Sequence, residues 1–151
     1  MVVYLGSDRL EYDTRAEMIA EAKKKYGIAI GESVIIGEGV KIGYGVEIGI
    51  GSKIGEGAEI GLGAEVGAFA EIDSFAIIGG WAEIGRNASI KAKAKIGDSA
   101  EIGRHVVIDE DAEVGSYATI GTKSWISAGV KIPDFQEVPR FSNPKLSVNC
   151  I

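Results

Sequence analysis

The chain carries one histidine, His105, and one cysteine, Cys150. An imidazole titrates near neutral pH and can serve as a general base, so His105 is the candidate for proton transfer. One residue of each kind excludes a multi-histidine or cysteine-based zinc centre within one chain, and also an internal disulfide framework. No metal is expected. Cations stand around His105 at a fixed spacing: Arg86-Asn87, Arg104-His105 and Thr122-Lys123 recur eighteen residues apart. Clustered guanidinium and ammonium groups suit phosphate or carboxylate, arginine through paired hydrogen bonds. The formal net charge is −6, so this strip is a local exception. That balance argues against a broad electrostatic grip on nucleic acid or on an acidic membrane.

Two further spacings bear on binding. Glu47, Glu65, Glu83 and Glu101 are also eighteen apart, with Thr119 next in the series. Like charges about 5 Å apart repel, so solvent, a cation, or arginines of this or a neighbouring chain must compensate. Arg86 and Arg104 follow Glu83 and Glu101 by three positions and could simply balance them. Phe69, Phe75 and Trp81 are six apart, in register with Gly39, Gly45, Gly51, Gly57 and Gly63. A positive φ is often wanted at such turn positions, so bulky rings there cost backbone energy and must gain by burial elsewhere. Trp81 shares its corner with Tyr44, Leu62 and Tyr117, and this apolar strip, with Phe69, is the candidate for self-association.

These spacings have one origin. Every sixth residue from Ile30 to Ile132 is Ile or Val, and four positions after each comes a small or β-branched residue. Helices cannot use the pattern, because six-residue steps scatter the aliphatics and recurrent glycine costs about 1 kcal/mol each against alanine. In strands both columns lie at even offsets and face one side. The reading is an all-β solenoid: one hexad per side, three sides per coil, about six triangular coils, with positions eighteen apart stacked vertically. The short alternation Lys91, Lys93, Lys95 reads as a solvated edge.

The flanks read as end caps. Residues 1–29 supply an N-terminal strand and a capping helix over Asp13–Tyr26, opened by the Thr14–Glu17 capping box and closed by Gly27. Its expected apolar stripe is Ala16, Ile19, Ala22 and Tyr26. Residues 30–132 form the solenoid. Pro133, Pro139 and Pro144 then break the repeat into an extended tail over 133–151. No apolar run approaches membrane-spanning length, and the opening residues lack the basic flank of a signal peptide, so a cytoplasmic protein is expected.

The repeat resembles the hexapeptide-repeat family over about two-thirds of the chain. That resemblance implies a left-handed parallel β-helix, usually trimeric. The closing stretch, Ile126-Ser-Ala-Gly-Val-Lys-Ile-Pro133 and Ser142-Asn-Pro-Lys145, resembles the close of hexapeptide acyltransferases, which devote that region to coenzyme A. Phe141 and Ser142 replace the Ala-Gly of that pattern. Many of these enzymes place their catalytic histidine two positions after the aliphatic, often followed by aspartate. Arg104 holds that position here, and His105 lies one further on. Ile102-Gly-Arg-His-Val-Val-Ile108 resembles a stretch of some sugar acetyltransferases. The γ-class carbonic anhydrases share the fold but need three histidines.

Three readings follow. The first is a non-catalytic homotrimer holding a small phosphate- or nucleotide-containing anion between subunits, with no cofactor. Arg86, Asn87, Arg104, His105 and Lys123 would grip it, and Trp125, Trp81 or Phe69 would stack on a base or ring. The second is an acyltransferase using a coenzyme A thioester, with His105 as base. The third is a scaffold without ligand.

Overall fold

The computed structural model describes residues 2–144. Strand β1 (Val2–Leu5) pairs antiparallel with β2 (Asp8–Glu11), and helix α1 (Arg15–Tyr26) follows. From β3 (Ala29–Ile30) to β21 (Glu137–Val138) the chain winds as very short strands joined by tight corners. Each coil strand pairs in parallel with the strand eighteen residues on, for example Glu65 with Glu83 and Ile84 with Ile102. Three sheets of eight, seven and six strands result, the sides of a triangular parallel β-solenoid of about six coils.

Strand alternation explains the division between inside and outside. From Ile42 onward the inward column, including Ile54, Ile72, Ile90 and Ile108, is buried, while Ile30 and Ile36 in the first coil are partly covered, and the small column from Ala58 to Ala100 fills the corners. Ser52 and Ser124 occupy that small column and are also buried. Each hydroxyl donates to a backbone carbonyl, Gly67 at 2.9 Å and Pro139 at 2.8 Å, which offsets its desolvation.

The residue preceding each small one takes a left-handed conformation. Gly51, Gly57 and Gly63 have φ near +70°, and Phe69, Phe75, Trp81, Asn87 and His105 adopt the same region at +56° to +61°. The cost is offset because each such N–H donates to the coil before it, as Trp81 does to the Leu62 carbonyl at 2.8 Å.

The first coil is completed from outside the repeat. β1 runs parallel to the strand Val40–Ile42, with Val3 against Val40 and Leu5 against Ile42, and so supplies a strand that the repeat itself lacks there. Helix α1 packs below. Thr14 caps it by accepting from the Glu17 N–H, and Gly27 ends it at φ +67°. Its buried stripe is Met18, Ala22 and Tyr26, whereas Ala16 is exposed and Ile19 only partly covered. The expected stripe is thus displaced toward Met18, because Tyr26 is drawn to the hairpin, where its hydroxyl donates to Asp8 at 2.6 Å.

At the other end the solenoid runs further than the prolines foretell. Glu137 and Val138 pair with Thr119 and Ile120, and Val138 is buried. Pro133 and Pro139 are tolerated for a specific reason. One coil earlier the equivalent N–H groups, of Gly115 and Gly121, donate upward to Ile132 and Val138. At the last described coil no coil above requires that donor. Paired coil strands therefore continue past 133, to Val138. Lys145 and Cys150 lie outside the described residues.

Candidate functional site

The seven-stranded sheet carries the glutamates. Glu47, Glu65, Glu83 and Glu101 stand in register, all exposed, with Thr119 and Glu137 continuing the row. The other two faces neutralise their charges within the sheet. Lys53 meets Glu71 at 3.7 Å on one, and Lys41 meets Glu59 at 3.3 Å on the other. On the latter, Lys95 and Lys131 flank Glu113 at 3.8 and 3.6 Å. Among the described residues the acid face has no such ion pair within 4.0 Å. The expectation that Arg86 and Arg104 balance Glu83 and Glu101 is therefore not met within the chain. An arginine three positions along has turned the corner.

An open groove of about 860 Å³ runs the length of this face, floored by the glutamates and by Gly49, Gly67, Gly85 and Gly103. Those glycines are needed because the backbone of the next coil crosses there. A Cβ on Gly67 would lie 2.7 Å from the Arg86 nitrogen. Arg86, Arg104 and Thr122 form one rim of the groove.

Behind that rim the corner is stacked as the eighteen-residue spacing requires. The His105 N–H donates to the Arg86 carbonyl at 3.0 Å, and the Lys123 N–H to the Arg104 carbonyl at 2.9 Å. His105 is exposed, and its imidazole has no hydrogen-bond partner among the described residues. Arg86 lies over the Phe69 ring at 5.9 Å, which orients its guanidinium. Lys123 and Arg140 both lie over Phe141, at 5.7 and 5.9 Å. Arg140 and Phe141 extend the basic corner by one coil. Counting the hexads one step past Ile132, to Val138, exposes both.

Not every expected residue meets at the groove. Arg86 and Arg104 line it, while Asn87, His105 and Lys123 sit one position round the corner. Trp125 stands on the six-stranded sheet, paired beside Val107 and pointing outward, so within one chain it does not face the groove. The apolar residues Tyr44, Leu62, Trp81 and Tyr117 are all exposed along the opposite edge of the acid face. Phe135 continues the Trp81–Tyr117 row and stacks on Tyr117 with centroids 5.2 Å apart. A second cavity, of about 820 Å³, closes the column between Phe135, Glu137, Val138 and Ser142-Asn143-Pro144. No cluster of metal-ligating side chains occurs among the described residues, and no helix there is long and apolar enough to cross a membrane.

No protein-family model and no curated protein matches the chain. Solved structures do. A hexapeptide transferase family protein from Anaplasma phagocytophilum aligns over 95% of this chain and 80% of its own, at 15% identity and a TM-score of 0.53. The acetyltransferase domain of PglB from Neisseria gonorrhoeae aligns over 74% of this chain and 51% of its own, at 26% identity and a TM-score of 0.49. PerB from Caulobacter crescentus, solved with CoA and GDP-perosamine, aligns over 83% and 61%, at 19% identity and a TM-score of 0.49. The chain thus spans about half the length of the PglB domain and about six-tenths of PerB. The repeat in the sequence, the three parallel sheets and the Anaplasma structure agree on one fold: the chain is a hexapeptide-repeat parallel β-solenoid.

Proposed function

We propose that the basic corner binds a phosphate-bearing acyl carrier of the coenzyme A class, and that the chain acts in acyl transfer. The supporting observation is the continuity of one track. Arg86, Arg104, His105, Lys123 and Arg140 climb a single corner that ends at the groove beside Ser142-Asn143-Pro144. Hexapeptide acyltransferases use the matching closing stretch for coenzyme A. Guanidinium groups not engaged by the acid face are free to meet phosphate through paired, charge-assisted bonds. In the transfer step, His105 takes the proton of an acceptor amine or hydroxyl. The acceptor attacks the thioester carbonyl, the C–S bond breaks, and the thiolate leaves to be protonated.

A second reading keeps the anion and drops the chemistry. The imidazole of His105 has no carboxylate or carbonyl to fix its tautomer among the described residues. This favours a site that only binds a phosphorylated small molecule, as an exposed cation corner can.

Calorimetric titration with acetyl-CoA separates them. The wild type binds, and Arg104→Ala weakens binding by about 10- to 100-fold, the loss of one or two charge-assisted hydrogen bonds. His105→Ala retains binding and abolishes transfer to an amine acceptor if the chain is an enzyme. Absence of acetyl-CoA binding by the wild type refutes the acyl-transfer reading. Binding of inorganic pyrophosphate that Arg104→Ala removes then identifies a simple anion site.

A further inference from the structure

Phe141 closes the basic corner at a position where the matching acyltransferase pattern has alanine. Its backbone is left-handed, at φ +59°, a region costly for a residue with a Cβ. Burial does not offset that cost, because the ring is 66% exposed. One coil below it stands Lys123, where Phe69 has Gly51 beneath it.

The ring instead gathers two cations. The Lys123 Nζ lies 5.7 Å from its centroid and the Arg140 guanidinium 5.9 Å. Elsewhere in the chain a lysine resting on a ring is neutralised by a carboxylate. Lys25 lies over Tyr26 and meets Asp8 at 3.6 Å, and Lys41 lies over Tyr4 and meets Glu59 at 3.3 Å. Among the described residues, Lys123 and Arg140 have no carboxylate within 4.0 Å. Two like charges drawn to one exposed ring repel each other, and an anion between them reverses the sign of that interaction.

Charge and shape select the anion. Long cationic side chains keep their methylenes on an apolar surface while turning the charged head outward, so both can converge on one group at the edge of the ring. A phosphate monoester carries about −1.5 to −2 at neutral pH and answers both cations, whereas a diester or a carboxylate brings a single charge. The guanidinium offers a fork to two of its oxygens and the ammonium a point charge to the third.

We infer that Lys123, Arg140 and Phe141 form a clamp for a phosphate monoester, with Phe141 as the positioning residue that holds the two cations together. The clamp belongs to the anion track proposed above and rests on that reading. It adds a selection: the upper end of the track takes a terminal, doubly ionised phosphate in preference to a bridging one. An acyl carrier and a free phosphorylated small molecule both present that chemistry.

Two ligand pairs, titrated calorimetrically into the full chain, test the clamp and separate the sources. Acetyl-CoA and acetyl-dephospho-CoA share thioester and pyrophosphate and differ by one phosphate monoester. Adenosine 3′-phosphate and adenosine 2′,3′-cyclic phosphate share base and sugar and differ as monoester and diester. The wild type should favour the monoester, by about 10- to 100-fold, the loss of one or two charge-assisted hydrogen bonds. Phe141→Leu should erase the preference while leaving the affinity for acetyl-dephospho-CoA in place, and Phe141→Tyr, which keeps a ring, should retain it. Lys123→Gln should also erase it, and replaces Phe141→Leu if that variant loses its cooperative melt. A preference within the carrier pair assigns the phosphate to the acyl carrier. A preference within the nucleotide pair alone, with neither carrier bound, refutes the acyl-carrier reading and leaves the clamp standing for a free small molecule. Equal affinity within both pairs overturns the clamp, as does a wild type that binds no monoester. A preference that Phe141→Leu retains in full overturns it too.

Discussion

The indole of Trp81 lies flat on Gly63, the residue one coil below it at the same corner. A Cβ on Gly63 would fall 2.5 Å from the Cε3 and Cζ3 atoms of the ring. Phe69 covers Gly51 and Phe75 covers Gly57 in the same way. Each ring therefore recovers part of the cost of its left-handed backbone by packing on a glycine that has no side chain to displace it. The three aromatics cap the glycine corners below them, so the switch from glycine to bulky residues along the column is a matched change.

Gly63→Ala is expected to destabilise the fold by about 1–2 kcal/mol for its left-handed backbone alone, with more for displacing the ring. Trp81→Ala should remove the second part. A double-mutant cycle by urea unfolding therefore returns a favourable Trp81–Gly63 coupling, and an additive cycle would contradict the packing.

Neighbouring isoleucines should differ sharply. Ile78 points inward and is 1% exposed, whereas Ile77 points out. Ile78→Ala should cost about 2–5 kcal/mol through lost burial and a cavity between coils. Ile77→Ala should change unfolding by less than about 0.5 kcal/mol.

Ser124 ties the C-terminal groove to the column. Its hydroxyl donates to Pro139 at 2.8 Å and accepts from the Ser142 N–H at 3.2 Å. Ser124→Ala should leave the coils intact but speed amide exchange at Ser142 by about tenfold, the equivalent of one lost hydrogen bond. Unchanged exchange there would show that the hydroxyl does not hold the segment.

The N-terminal hairpin should respond to pH at both ends of the scale. The hydrogen bond from Tyr26, with help from Lys25 at 3.6 Å, holds Asp8 below its ordinary 3.8. The same bond raises the Tyr26 phenol above its ordinary 10.0. A lowered acid stabilises the fold above its ordinary value and loses that contribution as pH falls through the folded-state value. A raised phenol stabilises below its ordinary value and loses it as pH climbs. Hairpin protection measured by amide exchange should thus be fullest between about pH 4 and pH 10. Asp8→Asn should flatten both edges, leaving the coils unaffected.

How much was legible in the sequence follows from how local each feature is. Inside and outside were readable because side chains alternate along a strand, and a six-residue step preserves that alternation through every corner. Vertical neighbours were readable because parallel pairing at eighteen residues is the same arithmetic three times over. The glutamate row, the stacking of His105 between Arg86 and Lys123, and the helix caps at Thr14 and Gly27 all follow from such rules. Tertiary structure decided whatever depended on direction at a corner or on what lay beyond the coil. Arg86 and Arg104 are close in sequence to Glu83 and Glu101 and line the same groove, yet form no ion pair with them within 4.0 Å, because the strand ends and the corner begins between the two positions. Pro133 and Pro139 look like breakers, yet at the last described coil no carbonyl above awaits their missing N–H. Met18 is buried in place of Ala16 because Met18, Ala22 and Tyr26 lie four apart on the one helix face that packs against the first coil. Trp125, two positions past Lys123, belongs to another face, since a corner separates them and no spacing rule carries a side chain round it.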